Sequence, residues 1–287
     1  MLAIYKKELR SYFTSMMGYV FIAFFLVIIG IWFFIQNLYS GYANFEYTLS
    51  SITFIFVLLT PLLTMRLMAE ENKQKTDQLL LTSPLSASAI VVGKLLAVFT
   101  IFFAAMLVTC FYPLILTKFG EVSLPSAYAS IFGFTMLGAA YLSIGLYISS
   151  LTESQVVAAV ISFIVFLFTV LMDGLAGVVP QDNQAAYVTF TIILIIICLI
   201  LYRMMHNLTI AVAAGVIVEI GLTVAFLMKP ALFDGLVLKV FNWLSVITRY
   251  DQFYYGIFDV TGIIYYLSLT FLFAFLTTQV IRKKRWS

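Results

Sequence analysis

The chain has little charge: only 10% of its 287 residues are Asp, Glu, Lys or Arg, whereas 63% are hydrophobic and the mean hydropathy is +1.08. So little polar surface cannot cover a single soluble core, and the composition therefore predicts an integral membrane protein. The apolar runs are long and lack the period-2 alternation of barrel strands. Backbone groups in hydrocarbon must also be paired, so we expect the spans to be helices.

Residues that carry out catalysis or bind metals are scarce as well. The single histidine, His206, excludes His-rich metal sites and an HExxH protease. Cys110 and Cys198 lie inside predicted spans and suggest no disulfide framework. Gly93-Lys94 resembles only the tail of a phosphate loop, because Leu95 replaces the required Ser or Thr. We therefore expect no catalytic residue, no metal and no nucleotide site on this chain.

Eight apolar runs approach or exceed the length of about 20 residues that a helix needs to cross a bilayer. They cover residues 17–38, 49–69, 89–117, 127–150, 155–178, 186–202, 208–228 and 262–281. The sixth is the shortest, so the sixth and seventh either both span or form a re-entrant hairpin. The predicted fold is an all-α polytopic bundle, residues 1–287, in a single transmembrane domain.

Basic residues predict the orientation of this bundle. If the N-terminus is cytoplasmic and all eight segments span, twelve Lys and Arg residues face inward and four face outward. We therefore expect both termini, and the loop at 70–88, on the cytoplasmic side. Membrane lipids are expected partners, and nucleic acid is not.

The first 16 residues predict a separate helix that lies in the inner membrane interface. On a helical wheel one sector is apolar and contains Leu2, Tyr5, Leu9, Tyr12, Phe13 and Met16. Lys7 and Arg10 lie on the other side, where they would meet anionic headgroups. The alternative is a frayed basic tail.

The segment at 229–260 is apolar and aromatic, but charges interrupt it. A soluble loop would be more polar, and a full span would not carry charges at this spacing. We interpret the segment as short re-entrant helices that dip into the outer leaflet. Its aromatic residues at headgroup level would be Trp243, Tyr250, Tyr254 and Tyr255.

Two acids fall inside predicted spans. Glu219 lies near the middle of the seventh span and Asp173 toward the outer end of the fifth. A charge at mid-bilayer costs about 2.5 to 3.5 kcal/mol, so such residues usually face a cavity or a partner. Glu219 is either a contact on a substrate or proton path or a buried carboxyl bonded to a neighbouring helix. Asp173 is either part of the same translocation path or an acid at the outer interface.

The loop at 70–88 combines mixed charge with the apolar run Leu79–Leu81 and then Thr82-Ser83-Pro84, which ends one helix. Ser86 or Ser88 can cap the next helix. This pattern indicates a short amphipathic helix held between two membrane helices, where it can act as a lever for a cytoplasmic partner. The alternative is a solvated loop.

Together with residues 90–94, this loop resembles the first intracellular loop of ABC-2 type permeases, most closely the gliding-motility and copper-enzyme-maturation branch of bacteria. The C-terminal residues Phe253, Gly256, Phe258, Tyr265–Ser268, Leu276-Thr277 and Arg285-Trp286 are similar to the closing pattern of that branch. The resemblance covers most of residues 1–180 and 229–287. It departs from the family at Lys75, where Gly is common. The family commonly has six spans, so residues 181–228 are interpreted as an inserted pair.

The resemblance implies a type V exporter-like permease in a bacterial plasma membrane. Residues 1–16 would be its connecting helix, and a coupling helix at 70–88 would dock on a separate ATPase that binds ATP and Mg²⁺. The implied coupling residues are Glu70, Glu71, Lys73, Lys75, Thr76 and Asp77, with Glu153 in a second contact at 149–154. A second copy or a homologous chain would complete the translocation path. Because the family mostly exports, the resemblance also implies export of an amphipathic substrate. An auxiliary anchored protein on the outer side is a further implied partner.

Two other functions stay open at this stage. The first is a secondary transporter or channel, driven by an ion gradient, with Glu219 as its ion or proton site. The second is a membrane-embedded enzyme acting on lipid, which would depend on Glu219 or Asp173.

Overall fold

The computed structural model describes residues 1–76, 85–176, 182–205 and 208–286. Within these ranges every regular element is a helix, which confirms the predicted all-helical architecture. Contacts divide the chain into two compact units. Unit 1 comprises Met1–Phe168 and Val246–Ser287, and unit 2 comprises Thr169–Ser245.

The helices follow one another along the described chain with short connections. In order they are α1 (Leu2–Thr14), α2 (Met17–Trp32) with a π-helical extension (Phe33–Tyr39), α3 (Phe45–Ser51), α4 (Ile55–Thr64), α5 (Arg66–Gln74), α6 (Ala87–Thr109), α7 (Phe111–Leu116), α8 (Leu124–Leu151), α9 (Gln155–Ala176), α10 (Asn183–Met205), α11 (Leu208–Met228), a 3₁₀ turn (Pro230–Phe233), α12 (Leu236–Leu244), a second 3₁₀ turn (Thr248–Tyr250), α13 (Asp251–Tyr254) and α14 (Val260–Trp286).

Five helical segments in the described ranges are long and apolar enough to cross a membrane. They are Met17–Tyr39, Ala87–Leu116, Leu124–Leu151, Gln155–Met172 and Val260–Arg285. A sixth span exists if Phe45–Ser51 and Ile55–Gln74 count as one, although they meet at a bend of 64°. The second predicted span is therefore a broken helix. The sixth and seventh predicted spans fall in α10 and α11, of which Asn183–Ile195 and Gly215–Met228 are described in full, so the total of eight stays a prediction.

Helix α8 forms the centre of unit 1, and α4, α5, α6 and α14 pack around it. Small residues on α8 allow this close packing. At Gly138 the ring of Phe102 fills the space that a side chain would need, and at Gly145 Thr64 does so. Aromatic rings complete the core, as where Phe56 stacks on Tyr141 with centroids 5.5 Å apart.

In unit 2 the helices α10 and α11 pack against each other along the predicted inserted pair. The 3₁₀ turn at Pro230–Phe233 contacts both of them, and α12 contacts α10. Ala186, Phe233 and Val237 form the buried core of this unit. Residues 206 and 207, which join the two helices, lie outside the described ranges.

The predicted outer segment at 229–260 consists of short helices and turns. Trp243 and Tyr255 are 64% and 69% exposed, whereas Tyr250 is fully buried in unit 1. Their predicted position at headgroup level stays a prediction. The Tyr250 hydroxyl is hydrogen-bonded to Ser130, and its ring meets that of Phe134 edge to face with centroids 5.9 Å apart.

Candidate functional site

The predicted coupling residues lie at the end of α5 and just after α8. The structure describes Glu70, Glu71, Lys73, Lys75, Thr76 and Glu153, whereas Asp77 and the apolar run that follows it lie outside the described residues. The side chains of Lys73, Lys75 and Glu153 are exposed. Glu70 and Glu71 are only partly exposed, because both form ion pairs within the chain.

A fully buried lysine lies beside this end of α5. Lys94, in α6, is 0% exposed, and its Nζ lies 2.8 Å from Glu8 Oε1 and 2.8 Å from Glu71 Oε2. Nζ also donates a hydrogen bond of 2.6 Å to the carbonyl oxygen of Leu67. An ammonium group has three N–H donors, so each of them has an acceptor here. Ion pairs of this kind are the usual condition for burying a charge.

Lys7 completes what we call the Lys94 cluster, which consists of Lys7, Glu8, Glu71 and Lys94. Lys7 Nζ lies 3.1 Å from Glu71 Oε1, and the Lys7 side chain is 60% exposed. The cluster therefore contains two cations and two carboxylates. It joins α1, which contributes Lys7 and Glu8, to both α5 and α6.

The packing of α1 differs from the predicted amphipathic pattern. Its buried residues are Ile4, Glu8 and Tyr12, whereas Leu2 of the predicted apolar sector is 69% exposed and Met16, just after the helix, 71% exposed. Glu8 is stable at the centre of the buried face because it forms an ion pair with Lys94, which is far away in the sequence. Helical periodicity alone does not reveal such a pair.

A second polar contact fixes α1 to the start of α5. Arg66 donates a hydrogen bond from Nη1 to Ser15 Oγ at 2.9 Å, and its guanidinium lies 5.3 Å from the centroid of the Tyr12 ring. The Tyr12 hydroxyl donates to the carbonyl of Leu63 at 2.7 Å. Burial, together with the nearby Glu8 carboxylate, raises the pKa of Tyr12, which keeps the hydroxyl protonated as a donor.

The structure also brings the two predicted contact segments together. Ser149, near the end of α8, accepts hydrogen bonds from the backbone N–H groups of Met68 and Ala69, each at 3.1 Å. These groups belong to the first turn of α5, which has no acceptors of its own within the helix. Asn72 Nδ2, near the end of α5, donates to the carbonyl of Thr152 at 2.9 Å.

A cavity of about 420 Å³ opens beside the Lys94 cluster. The cluster residues line it together with Arg66, Gln74 and Thr76. The sequence placed Lys94 in an incomplete phosphate loop, among the inward basic residues and in the family-like segment at 90–94, but it did not predict the buried ion pairs. The signal that could have found its role is a lysine near the start of an apolar helix, because such a charge needs a buried partner.

Glu219, the acid predicted to lie at mid-span, belongs to α11 in unit 2 and contacts α10. Its Oε1 accepts hydrogen bonds from the hydroxyls of Tyr187, at 2.8 Å, and Thr191, at 3.1 Å. Its Oε2 is buried and has no hydrogen-bond partner among the described residues. Glu219 therefore holds the two helices together and keeps one acceptor free. The side chain of Asp173 lies outside the described part of the structure.

A family model described as ABC-2 family transporter protein matches residues 35–233, which is more than half of the chain. The matched range includes α5, α6 and α8, and thus Glu71, Lys94 and Ser149. No curated protein and no solved structure matches the chain significantly.

Proposed function

Because this chain belongs to the ABC-2 family of transporter proteins, we propose that it is the permease subunit of a bacterial ATP-binding cassette transporter. The family supplies the membrane component of transporters and is not itself an enzyme, and an ABC ATPase is its general partner. The apolar helices of the chain agree with a membrane-embedded protein.

In this proposal the chain assembles with a second copy, or with a homologous permease, and with two ATPase subunits that bind ATP and Mg²⁺. Both termini face the cytoplasm of a bacterial cell, and the eight predicted spans form a type V exporter-like permease of the gliding-motility and copper-enzyme-maturation branch. The complex exports an amphipathic substrate, and an anchored outer protein assists it. Glu219 and Asp173 lie on the substrate path. The resemblance of the loop and the C-terminal pattern supports these details.

The observation that carries the proposal is the connection between the two segments expected to meet the ATPase. Asn72 and Ser149 bind the end of α8 to α5, so the exposed side chains of Lys73, Lys75 and Glu153 belong to one connected structure. An ATPase that binds these side chains would displace both segments together. Through this connection, a movement of the ATPase would be transmitted into the spans.

The exposed residues offer a cleaner test than Glu70 and Glu71, whose ion pairs stabilise the chain itself. We would reverse the charges in the variant Lys73→Glu/Lys75→Glu and in Glu153→Lys, and purify the tagged full chain from its native membrane. The control reverses two exposed charges beyond α7, Lys118→Glu and Glu121→Lys, which are expected on the outer side.

We expect the wild-type chain and the control to co-purify with an ATPase carrying Walker motifs. The coupling variants should retain about tenfold less of it, because charges at an interface govern association. A wild-type chain that purifies alone yet transports its substrate would refute the proposal. Equal loss in the control would show that the exposed charges near α5 are not the contact.

Glu219 supports one competing function, a secondary transporter driven by a proton or ion gradient. Its free, buried Oε2 could accept a proton or a cation. The two functions make opposite predictions for Glu219→Gln in vesicles. A gradient-driven carrier loses coupling to pH or ions, whereas the transport that an ABC permease retains still depends on ATP and is blocked by vanadate.

A further inference from the structure

We propose that Lys94 is a positioning residue of the transport cycle, which fixes α1 and α5 to α6 so that the three helices move as one body. The ATPase would displace the exposed end of α5, and Lys94 would carry that displacement into α6. This inference rests on the proposed function and adds Lys94 as the residue that transmits the movement of α5 to α6.

The Lys94 ammonium group connects α6 to two neighbouring helices. Its ammonium group is bonded to one acceptor on α1, Glu8, and to two on α5, the Glu71 carboxylate and the Leu67 carbonyl. The Lys94 side chain is 0% exposed, so these bonds lie inside the protein. The close approach of the helices also depends on Gly93, where an added Cβ would lie 3.2 Å from the side chain of Ile4.

Burial makes this link different from a surface ion pair. Charges in a water-poor site interact more strongly than exposed ones, and separating them leaves each without solvation. The Lys7–Glu71 pair, with Lys7 60% exposed, can exchange its partner for water at little cost. Among the ion pairs of the cluster, those of Lys94 therefore oppose movement of α5 relative to α6 most strongly.

A variant that lacks only Lys94 would leave the buried Glu8 carboxylate unpaired and Glu71 with Lys7 alone, and would test folding more than positioning. The informative variant, called the balanced variant, removes one positive and one negative charge, Lys94→Met with Glu8→Gln, while Glu71 keeps its ion pair with Lys7. Replacing a complete buried ion pair by neutral groups is often neutral for stability. The control, Lys118→Gln with Glu121→Gln, removes two exposed charges away from the cluster.

The experiment measures one distance in the full chain, purified with its ATPase and reconstituted in lipid nanodiscs. Spin labels at Gln74 on α5 and Leu96 on α6, both exposed, report that distance by double electron–electron resonance. Cys110 and Cys198 are first replaced by Ala. Spectra are recorded without nucleotide and with ATP and vanadate.

We expect the same distance distribution in both states for wild type, the control and Lys94→Arg. The balanced variant should retain the ATPase but show a distribution that shifts with nucleotide. A shift already in wild type, no shift in the balanced variant, or loss of the ATPase from that variant would each overturn the inference. A wild-type chain that brings no ATPase would instead refute the proposed function, and the role of Lys94 in the cycle with it.

Discussion

Replacing Lys94 by Met removes the ammonium group shared by Glu8 and Glu71. Removing one partner of a buried ion pair costs about 3–5 kcal/mol, because the remaining charge is left unpaired. Glu71 keeps the exposed Lys7 at 3.1 Å, so we expect a loss near the lower limit, about 3 kcal/mol. At about 2 °C per kcal/mol for a chain of this size, the unfolding midpoint should fall by about 6 °C.

Thermal unfolding of the full chain in detergent, followed by tryptophan fluorescence, measures this change. The balanced variant, Lys94→Met with Glu8→Gln, should recover most of the loss, since Glu71 keeps Lys7 and no charge is left unpaired. The control Lys118→Met changes an exposed residue and should shift stability by less than about 0.5 kcal/mol. If Lys94→Met unfolds at the wild-type midpoint, the ammonium group does not hold these helices together and the reasoning is refuted.

Two further substitutions test the ends of α5. Lys75 ends the helix in the left-handed conformation with φ 55°, which costs a residue other than glycine about 1–2 kcal/mol. Lys75→Gly should therefore raise the free energy of unfolding by about 1 kcal/mol, whereas Lys75→Ala should not, and an equal gain in both would contradict the explanation. Ser149→Ala leaves the buried N–H groups of Met68 and Ala69 without an acceptor and should lower the free energy of unfolding by about 1–3 kcal/mol. Unchanged amide hydrogen exchange in the first turn of α5 would count against that role of Ser149.

The helical architecture could be predicted from the sequence because hydrocarbon imposes strict rules on composition. Each predicted span coincides with an apolar helix or a pair of helices. The bend between α3 and α4 could not be predicted, since the apolar run at 49–69 continues through Ile52–Phe54, where the helix breaks. Hydropathy measures transfer into lipid and carries no signal for the direction of a helix.

The candidate site was predictable only in part. The charged loop pointed to the end of α5, and the structure gives Lys75 a left-handed conformation, for which the Gly common in the family is suited. The internal partners of Glu71 were not predictable, because Lys94 and Glu8 are distant in sequence and meet only in the packed structure. Pairing of this kind depends on tertiary contacts that a local pattern does not contain.

The most direct test of the central claim is the composition of the complex around the wild-type chain. The tagged chain is purified from its native membrane in mild detergent, and every co-purifying protein is identified and quantified by mass spectrometry. The account predicts one ABC ATPase in equal amount with the permease chain, and hydrolysis of ATP that vanadate blocks. A chain that is active without any ATPase would contradict it.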